Sequence, residues 1–152
     1  RAPKYWYQFP TYKRRFEMEF ANISIFAIIL AVVSNMVIGA LWYSPILFSA
    51  IWVKALGKKM EDIDPKGAYV GYGLTTLGGI FTAVVLSLFI QLLDTVTILD
   101  GALFGFLIGL IASFRELSPT FFESRNYTLF FISAGYHIVA LTVMGIIIAA
   151  FV

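Results

Sequence analysis

The chain has 152 residues, of which 60% are hydrophobic and 13% charged, and its mean hydropathy is +0.86. A water-soluble domain carries roughly 25% charged residues, so this composition excludes a soluble globule and leaves a protein of the lipid bilayer. The net charge of +2 is too small to indicate nucleic acid as a partner, and the lack of cysteine excludes disulfides and thiolate metal sites.

Residues 1–20 form a basic aromatic extension in which Lys4, Lys13, Arg14 and Arg15 alternate with Tyr5, Trp6, Tyr7, Phe9 and Tyr12. That mixture suits a segment lying along headgroups or gripping a neighbouring protein, and nucleic-acid binding is the weaker reading of it. The first residue is Arg1 rather than Met. Unless the sequence begins at an arbitrary point, this fits removal of an organelle targeting peptide and favours the mitochondrial inner membrane over a bacterial inner membrane.

Residues 21–152 read as one membrane domain. Crossing about 30 Å of hydrocarbon takes about 20 helical residues, and four segments are long enough: 21–43, 65–93, 96–114 and 127–152. The expected fold is all-α, a polytopic bundle of four transmembrane helices with short connections and no separate soluble catalytic domain. Lys and Arg counts on the two sides give no decisive orientation.

The first span closes with Trp42 and Tyr43, residues that prefer the headgroup layer, and Pro45 then removes a backbone donor just past the hydrocarbon. These residues and Trp52 are the expected interface anchors. Phe48, Trp52 and Leu56 recur every four residues, which predicts a short interfacial helix stopped by Gly57. Asp64 and Pro65 form an N-cap and first-turn pair for the second span, which is long enough to tilt or protrude.

Small residues recur at intervals of four within the spans. Ala27, Ala31, Asn35 and Gly39 form one ladder, Gly67, Gly71, Thr75 and Gly79 a second, and Gly101, Gly105, Gly109 and Ser113 a third. Each ladder lies on one helix face, where small residues let backbones approach closely. Helix packing is their expected role, within the chain or against another subunit. The fourth span is less regular, with Gly135, Thr142, Gly145 and Ala149 on roughly one side.

Polar groups at membrane depth are costly and often functional. Asn35 and His137 are the two positions of this kind. Asn35 is expected to bond across helices. A lone imidazole could act as a haem ligand or proton relay, but without cysteine, a second His or an intramembrane carboxylate the structural reading is preferred. Arg115, Glu116, Glu123 and Arg125 fall in the predicted connection after the third span, around Ser118 and Pro119, where alternating charges neutralise one another. A catalytic pair at Glu116 and Glu123 lacks a nucleophile or metal cluster to accompany it. No catalytic, cofactor-binding or metal-binding residue is therefore expected.

A shift of 74 positions lays Ser44 and Pro45 on Ser118 and Pro119, Phe48 on Phe122, and the first ladder on the third. This predicts a duplicated two-helix unit in which Ser-Pro elbows end both outgoing spans.

Gly39 to Phe48 with Trp52 and Ala55 to Gly57, and later Phe130 to Tyr136 with Val139, Ala140, Met144 and Gly145, resemble two signatures of a small membrane family. It is the family catalogued as domain of unknown function seventeen sixty-one. The resemblance runs from Asn22 to Val152 and implies a four-span membrane protein; it brings no catalytic residues. The extension before Asn22 goes beyond the family's usual start. Two function classes follow. The favoured one is a non-catalytic structural or accessory subunit of a larger membrane assembly, of respiratory type in the mitochondrial inner membrane, with other membrane subunits as partners. The alternative is a small-solute transporter or channel lined by Asn35, Thr75 and His137.

Overall fold

A computed structural model describes residues 23–93 and 96–152; the basic aromatic extension lies outside them. Helix α1 (Ile25–Trp42) begins where the Ser24 hydroxyl accepts the Ala27 N–H at 3.3 Å. It ends in a turn in which the Ser44 hydroxyl donates to the Leu41 carbonyl at 2.7 Å and accepts the Ile46 N–H at 3.2 Å. A short helix, α2 (Ser49–Ala55), follows and stops at Gly57, whose φ of 67° is open to glycine without strain. Helix α3 (Pro65–Ile90) is capped by Asp64, whose carboxylate accepts the Lys66 and Gly67 N–H groups, each at 3.0 Å.

Helix α4 (Ile98–Phe122) opens on a reciprocal box: Thr97 accepts the Asp100 N–H at 3.2 Å and Asp100 accepts the Thr97 N–H at 2.8 Å. Asn126 caps α5 (Tyr127–Ala149), accepting the Thr128 N–H at 2.9 Å. Caps of this kind contribute about 1 kcal/mol each. Helices α1, α3, α4 and α5 are long and apolar enough to cross a membrane, so the protein is an integral membrane protein whose described residues form an all-helical bundle of four spans.

The second expected elbow is not a turn. Helix α4 continues beyond Phe114 and carries Pro119 inside it. The proline removes the helical hydrogen bond to the Arg115 carbonyl, and Arg115 is exposed, where water can serve that group. The chain reverses only at residues 123–126, where Ser124 adopts φ 52° and the Arg125 N–H returns to the Thr120 carbonyl at 3.0 Å.

Helices α4 and α5 run antiparallel with their backbones in contact. Gly101 lies against the Gly145 carbonyl, Gly105 against that of Leu141 and Gly109 against that of His137. As the glycine advances by four, its partner steps back by four. A Cβ added at Gly109 would lie 2.8 Å from the His137 carbonyl oxygen, so side chains have no room along this seam. The third ladder therefore meets α5 along its whole length. A second layer joins α1 and α3 to α5 through Ala31, Val32, Ala83, Leu86, Met144 and Ile148.

The second ladder behaves differently. Gly67, Gly71 and Thr75 are exposed, and only Gly79 approaches another helix, where a Cβ would lie 3.0 Å from Asn35 Nδ2. The 74-residue correspondence also stops short of packing. Gly71 maps onto Gly145, yet among the described residues nothing lies within 4 Å of a Cβ placed on Gly71. The halves share a small-residue pattern, and only the second uses it to close its own hairpin. In the fourth span, Gly135 faces Trp42 on α1 while Gly145 faces α4, so its small residues serve two neighbours.

Gly105→Ala is expected to lose about 1–3 kcal/mol of stability through overpacking, whereas Gly71→Ala stays within about 1 kcal/mol of the parent because it only changes helix propensity. Unfolding of both variants in mixed micelles, followed by circular dichroism, checks the difference; equal destabilisation would contradict the seam.

Candidate functional site

The end of α1 is fastened to α5 by polar groups. The Trp42 indole N–H donates to the Ile132 carbonyl at 2.9 Å, and its ring covers Gly135 so closely that a Cβ there would be 2.9 Å away. The Tyr136 hydroxyl donates to Asn35 Oδ1 at 2.9 Å, with both residues buried. Asn35 thus bonds across helices, and Gly39 makes room beside the same tyrosine ring. Tyr43 stands between Tyr136 and Trp52, its ring centre 5.7 Å and 5.8 Å from theirs. Trp42, Tyr43 and Trp52, expected as headgroup anchors, are half-buried with rings turned onto the protein, while Pro45 is exposed in the turn.

His137 lies about 7 Å of helix rise beyond Ile132, on the membrane side of the level fixed by Trp42. Its Nε2 is 3.2 Å from Glu116 Oε1 on α4. From the sequence alone, Glu116 falls in a loop and His137 has no carboxylate partner. The longer α4 corrects both points by carrying Glu116 back to α5. The pair is only partly covered, with side-chain exposures of 31% for His137 and 47% for Glu116. Glu123 and Arg125, the other expected charges of this region, pair with each other in the α4–α5 turn, where Arg125 Nε is 2.7 Å from Glu123 Oε2.

Two clefts meet this pair. One, of about 360 Å³, lies among α1, α3, α4 and α5 and brings Asn35, Thr75 and His137 together. These are the residues named by the transport reading of the sequence. The other, of about 300 Å³, lies between α2 and the α4–α5 hairpin, with Glu116, Thr120, Arg125 and Ser133 in its wall. Among the described residues, no three His, Asp or Glu side chains gather as a metal site. The arrangement offers an imidazole, a carboxylate and several hydroxyls at membrane depth. It is suited to hydrogen bonding and proton exchange.

A comparison with known families is consistent with this architecture. The model for the family described as "Protein of unknown function (DUF1761)" matches residues 26–149. The chain belongs to that family. Both signatures read from the sequence, at the end of α1 and along α5, fall inside the matched range. No curated protein and no solved structure matches the chain.

Tyr136→Phe leaves the Asn35 carboxamide without its buried donor, and the expected loss is about 1 kcal/mol, the upper part of what membrane hydrogen bonds contribute. A double-mutant cycle with Asn35→Leu, read by the same unfolding measurement, should return a coupling of that size; additive losses would show that the bond contributes nothing.

Proposed function

We propose that the protein is a non-catalytic structural or accessory subunit of a larger membrane assembly, docking through the amino-terminal half of α3. One observation carries this reading. Gly67, Gly71 and Thr75 there are exposed, and nothing among the described residues lies within 4 Å of a Cβ placed on Gly71, or on Gly78 two turns further along the same face. Small residues stabilise helix association in lipid by letting another backbone come close, because the hydrophobic effect no longer drives contact there. Val70 and Leu74, each 65% exposed, flank the strip with surface for a neighbour to cover.

The same proposal extends to the membrane. A basic aromatic extension suits an anionic leaflet, which supports the mitochondrial inner membrane, as part of a respiratory-type complex; a bacterial inner membrane is the alternative, and fractionation of the source cells decides.

A photoreactive side chain placed at Gly71 or Gly78 in native membranes tests the docking face. The expected products are adducts to another membrane subunit, absent when the probe sits at Ile111 on the outer face of α4. Adducts confined to lipid or to residues 1–20 of the same chain, with the protein migrating alone on a native gel, would sink the reading.

A further inference from the structure

We propose that Glu116 and His137 form a proton-transfer site that joins the two clefts into one proton route along the α4–α5 groove. The proposal rests on where the clefts lie. On α5, Leu129 and Ser133 line the smaller cleft and Tyr136, His137, Ala140 and Met144 line the larger. At helical spacing these residues make one continuous stripe, about 22 Å long. On α4 the same holds: Ile108 and Ala112 line one cleft, Glu116 and Thr120 the other. The clefts therefore sit end to end along one groove, with the carboxylate in the wall of one and the imidazole in the wall of the other. Where they join, Glu116 Oε1 and His137 Nε2 are 3.2 Å apart, within proton-transfer distance.

The step is a relay in which no bond to carbon changes. A proton from water in the larger cleft binds Nδ1 of the neutral imidazole while the Nε2–H bond breaks and its proton forms an O–H bond on Glu116. The carboxylic acid releases that proton to water in the smaller cleft; the ring then turns into the larger cleft, where water takes the Nδ1 proton and gives one to Nε2, and turns back to Glu116, so that one proton has crossed per cycle. The reverse direction uses the same bonds. Imidazole is suited to this because its two nitrogens accept and donate on opposite sides of the ring.

The other charged or titratable groups facing the pair are few. Tyr43 at the end of α1 stands close enough to Glu116 to feel its charge, and Tyr136 adjoins His137 with its hydroxyl committed to Asn35. Arg125, held by Glu123, lines the smaller cleft at the α4–α5 turn. The walls from α2 and α3 contribute Trp52, Leu56, Thr75 and Thr82, all uncharged. The hydroxyls and carboxamide along the groove supply the partners that water needs in such a space.

The full chain in liposomes containing a pH-sensitive dye tests the route, with a potassium diffusion potential as the driving force. Proton entry is expected to exceed that of protein-free vesicles, to fall to their level in Glu116→Gln and His137→Gln, and to return in part in Glu116→Asp. Ile111→Ala, on the lipid face, keeps the parent rate. Because the chain holds a single histidine, the unmutated protein gives a second reading free of folding effects: carbethoxylation of the imidazole should stop the flux and hydroxylamine should restore it. A flux no greater than that of empty vesicles, or one that survives either His137→Gln or carbethoxylation, overturns the proposal.

Discussion

Backbone contact between α4 and α5 is the constraint on which the rest of this structure depends. Inside a bilayer the tails are as apolar as the side chains, so helices are held by dispersion, close approach and weak hydrogen bonds. Gly101, Gly105 and Gly109 remove the side chains that would keep α5 at a distance, and each faces a carbonyl group of α5. Contacts from Cα–H to such oxygens contribute about 0.5–1 kcal/mol each where they form, and the seam sets three glycines against such carbonyls. Once α4 and α5 are fixed in this register, the height of every group on one helix relative to the other is fixed too. The meeting of Glu116 with His137 follows from that register.

Helix α1 is held by fewer and more directional links. Trp42 reaches the Ile132 carbonyl, and Asn35 receives the Tyr136 hydroxyl while its amide nitrogen lies near Gly79 of α3. Asn35 is therefore the point at which α1, α3 and α5 converge. A carboxamide at this depth is tolerable because it is partnered, and the same partnering sets the depth and rotation of α1. Apolar contacts through Ala31, Val32 and Met144 fill the layer without specifying those two quantities.

Features governed by neighbouring residues were legible in the sequence. The Ser44–Pro45 turn, the Gly57 stop, the Asp64 cap and the spans themselves depend on local chemistry and on the length of apolar runs. The end of α4 was not legible, because Arg115, Glu116 and Pro119 together imitate the exit of a span. A proline in the closing turns costs one hydrogen bond, and an exposed carbonyl can give that bond to water, so the helix runs on. The partnership of Glu116 with His137 was hidden for the same reason, since a helix ending at Phe114 would have left the carboxylate in a loop. Spacing also identified the face on which Gly67, Gly71 and Thr75 lie, but a ladder carries no information about which neighbour fills it. The inward turn of Trp42 was equally hidden, because a preference for the headgroup layer and a hydrogen bond to a buried carbonyl call for the same amphipathic ring.

The open face of α3 and the polar groove meet at one place. Thr75 and Gly78 belong to the uncovered stretch of α3 and also line the larger cleft beside His137. A helix seated on that stretch would form an additional wall of the cleft, and its side chains would decide how much water reaches the imidazole. The α4–α5 seam, by contrast, leaves little freedom to the carboxylate–imidazole pair itself. Geometry at the pair is set by the chain's own backbone, whereas access to it would be set along α3, the least supported of the four long helices. On the two proposals above, assembly and proton access would be properties of the same surface, and a change of neighbour on α3 would alter the second without displacing Glu116 from His137.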